Sequence, residues 1–149
     1  MRSAICVLTG TTGRIQIDGK WERPCEQGWH DAFDTELERQ IALVSAHTAR
    51  VILVIPPYPV KKWISDGLYD KVDCYNRSLW GVAKRFRHVE VLDLQSKVCP
   101  EGQCILDGPN GYPLRPDGLH FGGWGAEALA SWILQNVERP LQRPGDVLS

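Results

Sequence analysis

Apolar residues recur along this chain in two rhythms. Short apolar runs, Ala4 to Thr9 and Val51 to Ile55, together with a third strand-like segment, Val89 to Leu94, alternate with longer stretches in which apolar side chains return every three or four positions. An unbroken run closed by turn residues suits a strand buried on both faces, whereas a period near 3.6 suits a helix with one covered face. Phe33, Leu37, Ile41, Val44 and Thr48 predict a helix from about Asp31 to His47. Asp34, Glu36 and Glu38 load its first half with negative charge, as the macrodipole favours. Tyr69, Val72, Leu79, Ala83 and Phe86 predict a second helix, from about Leu68 to Phe86, with Lys84, Arg85 and Arg87 at its C-terminal end. Leu129, Trp132, Ile133 and Val137 predict a third, from about Gly125 to Val137.

The segments between these elements carry turn chemistry. Gly10 to Gly13 closes the first run, and Ile15-Gln16-Ile17 followed by Asp18-Gly19 predicts a small excursion or hairpin ahead of Trp21. Pro24 to Trp29 reads as a loop. Pro56-Pro57-Tyr58-Pro59 stops the second strand, because proline has no amide hydrogen for a ladder. Lys61 to Gly67 and Gln95 to Leu114 read as loops, the latter with Asp107-Gly108 and Pro109-Asn110-Gly111 as turns. Strands alternating with long helices predict an α/β fold, a three-layer α/β/α arrangement over a short parallel sheet, with residues 1–138 as one domain and 139–149 as a tail. Right-handed crossovers would bring Gly10–Gly13, the Pro56–Tyr58 turn and the loop after Leu94 to one carboxyl edge, where open α/β sheets place their sites.

Composition narrows the picture. With 149 residues and 43% hydrophobic content, the chain supports one modest core. Its 17 basic and 18 acidic residues form no stripe of one sign, so no nucleic-acid partner is expected. The longest apolar run is far shorter than the ~20 residues that cross a bilayer, and Met1-Arg2-Ser3 leads into a strand rather than a signal peptide. No cofactor is expected. Five cysteines leave at least one unpaired within the chain. Cys99 and Cys104 flank a Pro- and Gly-containing turn that either closes a disulfide or leaves two reduced thiols in a surface loop. A zinc site is disfavoured because no second ligand pair follows at metal spacing. Cys6 and Cys74 read as small buried hydrophobes. His30, His47 and His88 read as surface or helix-end residues.

The chemistry concentrates in Arg115-Pro-Asp117-Gly-Leu-His120-Phe-Gly-Gly-Trp124-Gly-Ala126. An imidazole with a carboxylate on one ring nitrogen has its tautomer fixed, which leaves the other nitrogen free to accept a proton from a nucleophile. One tight turn can aim both groups into a single cleft. An Asp-Gly turn with a helix-flanking histidine is the bland alternative. Trp124 and Tyr58 are packing residues or the lining of an acyl or sugar pocket.

The block from Asp117 to Ala126 resembles the last sequence block of the SGNH (GDSL-type) hydrolase superfamily, Asp-x-x-His followed by a Gly-Ala helix entry. The resemblance continues upstream in order, through Ile17-Asp-Gly-Lys-Trp21, Phe33-Asp34, Arg50 to Pro57, Tyr75-Asn76, Val91 to Leu94, Val98-Cys99-Pro-x-Gly-x-Cys104 and Asp107-Gly108. Together these segments most resemble the SGNH domain appended to bacterial type-3 membrane acyltransferases, which O-acylate cell-surface glycans. The resemblance implies a flavodoxin-like SGNH fold, an extracytoplasmic location and a serine esterase or O-acyltransferase acting on an acyl-ester or glycan substrate. His120 would be the general base and Asp117 its orienting partner. Gly10 would be an oxyanion donor, although a turn glycine is the default reading, and Thr12 would replace the family's oxyanion-hole Asn. Each such donor is worth ~3–4 kcal/mol.

The chain departs from that pattern at its nucleophile. It contains no Gly-Asp-Ser; Ser45, Ser78 and Ser131 fall in predicted helices, and Ser65 and Ser96 lack the strand-then-turn setting. The second-block glycine is missing too. The expectation is a chain that begins at the family's third strand, with the serine upstream of Met1. Ala4–Thr9 would then be an apolar edge strand that invites dimerisation or complementation by another chain. The rival expectation is a non-catalytic α/β binding or assembly module derived from the same fold.

Overall fold

The computed structural model describes residues 3–6, 14–47 and 50–138. Gly10, Thr12, the end of the first expected strand and the 139–149 tail lie outside them. The first strand, β1, spans Ser3–Cys6; β2 (Ile15–Ile17) and β3 (Lys20–Glu22) form an antiparallel hairpin, which takes in Trp21 rather than ending ahead of it. Helix α1 spans Gln27–Ser45, β4 spans Arg50–Ile55, α2 spans Leu68–Ala83 and β5 spans Val89–Asp93. A short α3 (Leu94–Val98) and a long α4 (Trp124–Val137) complete the chain. The main sheet is parallel in the order β1-β4-β5.

β4 takes the centre because its residues are apolar on both faces. Val51, Leu53 and Ile55 point into one core with Val89 and Val91, under α1 and α2. Ile52 and Val54 point the other way with Leu92, against α3 and the Leu129, Trp132, Ile133 and Val137 stripe of α4. The period of two along the strand divides the protein into the expected α/β/α layers. Arg50 locks the second layer in place. It pairs with Glu90 at 2.7 Å and donates to the Val137 carbonyl, a cation at the C-terminal end of α4.

Several expectations need correction. Helix α1 begins at Gln27, so the expected loop to Trp29 is too long. Trp29 is 1% exposed and stacks on Phe33 with ring centroids 4.7 Å apart, which extends the Phe33–Leu37–Ile41 stripe back by one turn. The earlier start moves Asp34, Glu36 and Glu38 towards the middle of the helix, beyond its first turn, and there they form ion pairs. Arg85 bridges Asp34 and Glu38, while Arg39 pairs with Glu36. α2 ends at Ala83, three residues short of Phe86. The region after β5 is not loop throughout. Asp93 accepts from the Ser96 amide at 2.9 Å and from its hydroxyl at 2.6 Å, an N-cap that starts α3.

Cys74 is not a free buried thiol. It is bonded to Cys25, which ties the entry of α1 to α2 across 49 positions, and Cys99 is bonded to Cys104. Among the described residues, no helix is long and apolar enough to cross a membrane.

Candidate active site

The Asp117/His120 loop is held by its own turn and by a shelf just beyond β4. Its turn closes through the Gly118 amide donating to the Arg115 carbonyl at 2.9 Å. Val60 then donates from its amide to the Gly118 carbonyl at 2.8 Å. Lys61 Nζ reaches the Pro116 carbonyl and Trp63 Nε1 the Asp117 carbonyl, both at 3.0 Å. Gly118 has φ +88°, and a Cβ there would collide with the Val60 carbonyl, so glycine is required on two counts.

Within the loop, Asp117 Oδ1 accepts from the amides of Leu119 and His120, each at 2.8 Å, and Oδ2 meets His120 Nδ1 at 2.7 Å. The His120 ring and those two amides hold the Asp117 carboxyl well below the usual carboxylate range. An ionised carboxylate can only accept, so Nδ1 carries the proton and Nε2 is the basic nitrogen. The His120 side chain is 74% exposed, and among the described residues Nε2 meets no serine hydroxyl. The pair is oriented and solvent-facing.

Arg115 sits behind the dyad at 2% exposure, with its guanidinium over the Phe121 ring at 5.7 Å. Nη1 donates to the Tyr58 carbonyl at 2.5 Å, while Nε and Nη2 find no partner among the described residues. Burial lowers its pKa from the ordinary value. Nothing in the sequence marked this arginine for the interior.

Tyr58 is placed near this shelf but not on the dyad. Its hydroxyl donates to Asp73 Oδ1 at 2.5 Å and its ring stacks on Tyr69 at 4.2 Å. Burial first, and then the Asp73 hydrogen bond, push the phenol up to about 12. Beside it, buried Asn76 donates to the Pro56 carbonyl at 3.1 Å and to Gln95 Oε1 at 2.9 Å, leaving Oδ1 unpartnered. Asn76 was legible as an interior polar residue, because it falls on the Val72–Leu79–Ala83 stripe. Gln95 and Asp73 carried no such signal.

Trp124 opens α4 and lines an apolar cavity of about 360 Å³ between α3, the 105–114 segment and α4. Neither Asp117 nor His120 lines it, although Phe121 does. Two other serine–histidine pairs form away from this edge, His30 Nδ1 with Ser78 Oγ and His88 Nε2 with Ser45 Oγ, each at 2.6 Å. Both serines lie inside helices. Ser45 also donates to the Ile41 carbonyl, so its proton is already committed. Among the described residues, no group of three or more His, Cys, Asp or Glu could hold a metal ion.

No protein-family model matches the chain, and no curated protein matches it. The site must be read from its own geometry.

Proposed function

We propose that Asp117 and His120 form the acid/base half of a serine ester hydrolase or O-acyltransferase acting on acylated cell-surface carbohydrate, with the serine hydroxyl supplied from outside these 149 residues. The observation that carries this reading is the dyad itself. Its carboxylate is fixed by two amides, its imidazole is fixed by the carboxylate, and the basic nitrogen is turned to solvent at the carboxyl edge of a parallel sheet. The resemblance to the SGNH terminal block supports the same roles.

In this mechanism His120 Nε2 removes the proton as a serine oxygen attacks the ester carbonyl, and Asp117 stabilises the imidazolium. His120 then returns the proton to the departing sugar oxygen as the carbonyl–oxygen bond breaks. Water or a second hydroxyl, deprotonated by the same nitrogen, releases the acyl group to give hydrolysis or transfer. β1 is the natural entry point for the missing group. Among the described residues it pairs only with β4, so a further strand carrying the serine could add along its open side. Two disulfides favour an oxidising, extracytoplasmic setting.

A fluorophosphonate probe tests the proposal. The chain alone should not label; a polypeptide bearing an apolar strand that ends in Gly-Asp-Ser should label on its serine when mixed with it, and lose that label with His120→Ala. Labelling on a serine of this chain alone would refute the reading. Glycan binding without labelling in either case would favour a binding module instead.

A further inference from the structure

The apolar cavity beside α4 is lined by neither Asp117 nor His120, and the dyad's proton transfers leave it unused. It is bounded by Leu94 and Val98 of α3, by Ile105 and Leu114, and by Phe121 and Trp124. The wall is preformed by two close approaches. A Cβ at Gly108 would overlap the Trp124 ring, and one at Gly125 would overlap the Leu114 carbonyl. The volume, about 360 Å³, lies within the roughly 300–1,000 Å³ typical of small-ligand sites.

What could fill it follows from what the lining lacks. No hydroxyl or amide side chain lines the cavity, and its charged residues, Lys97 and Asp107, are solvent-exposed. The indole N–H groups of Trp124 and Trp132 are the remaining side-chain donors, so a sugar would bury most of its hydroxyls without partners there, whereas a methylene chain would lose nothing. Phe121 follows His120 directly, so the wall continues into the dyad loop. We propose that this cavity is an acyl-chain site, selecting esters of a straight medium-length fatty acyl group over acetyl; the assignment of the chain to an ester rests on the hydrolase reading above.

The test is binding, which needs no catalysis. The probe is the methyl ester of octanoic acid brominated at its chain end, whose bromine quenches tryptophan only on contact. Quenching should saturate, be relieved by unbrominated methyl octanoate, and largely disappear in a Trp124→Phe/Trp132→Phe variant. Ala128→Phe, which fills the cavity, should weaken binding by at least about tenfold. Ile105→Arg alters a rim residue that is 42% exposed, so it tests the same point should the filled variant not fold. His120→Ala should leave quenching unchanged, so failure of the dyad reading and failure of this one are separable. Quenching that does not saturate, or that both cavity variants leave intact, would overturn the assignment.

Discussion

Arg115 donates from Nη1 to the carbonyl oxygen of Tyr58, fastening the dyad loop to the chain just beyond β4 from inside the protein. The bond satisfies a carbonyl, and the guanidinium also fills space against Phe121. Arg115→Ala should therefore lose a hydrogen bond to a charged group and leave a cavity, together destabilising by about 2–4 kcal/mol. Urea titration measures this. A variant as stable as the parent would mean that the cost of burying the charge outweighs both gains.

The depressed Asp117 carboxyl makes an acid-side prediction. A carboxylate whose folded pKa is lowered contributes stability that is complete above its unfolded value of 3.8 and is lost as pH falls below it. Asp117→Asn should accordingly melt below the parent at neutral pH, and the two Tm values should converge towards about pH 2. A gap that stayed constant across that range would show that the carboxylate's charge is irrelevant to the turn.

Gly108 and Trp124 should be energetically coupled. The atoms that a Cβ at 108 would strike are Cζ3 and Cη2, on the outer edge of the indole, which phenylalanine lacks. Gly108→Ala should cost about 1–3 kcal/mol in the parent and markedly less in Trp124→Phe. Additive costs in the double-mutant cycle would place the ring elsewhere in solution.

The two disulfides should differ in strength. Cys25–Cys74 spans 49 positions and Cys99–Cys104 only 5, so chain entropy assigns them about 4 and about 2 kcal/mol respectively. Paired Cys→Ala variants followed by guanidinium denaturation give both values. A larger loss from the short loop would point to strain relief or packing as the dominant effect.

How far the sequence revealed these features depended on distance along the chain. β4 was plain because Val51 to Ile55 admits no polar residue, and only a two-faced strand tolerates that. The Asp117–His120 bond was plain for a related reason: three residues and one turn determine it. The Cys25–Cys74 pairing was hidden because it depends on where α1 meets α2, and the proline before Cys25 made the helix entry look like loop. Arg115 was hidden because arginine is so seldom interior that composition points the wrong way. Trp29 was missed although it stands four positions before Phe33, since the turn signal at Pro24 was carried too far.

The shelf at Val60 to Trp63 has a practical corollary for anyone wishing to transplant this dyad. Cutting out the segment from Arg115 to Trp124 would carry away the carboxylate and imidazole but leave behind the amide, the ammonium and the indole that hold their backbone in place. A graft would need both pieces, borrowed together and in their original juxtaposition, before the imidazole faced the right way on a new scaffold.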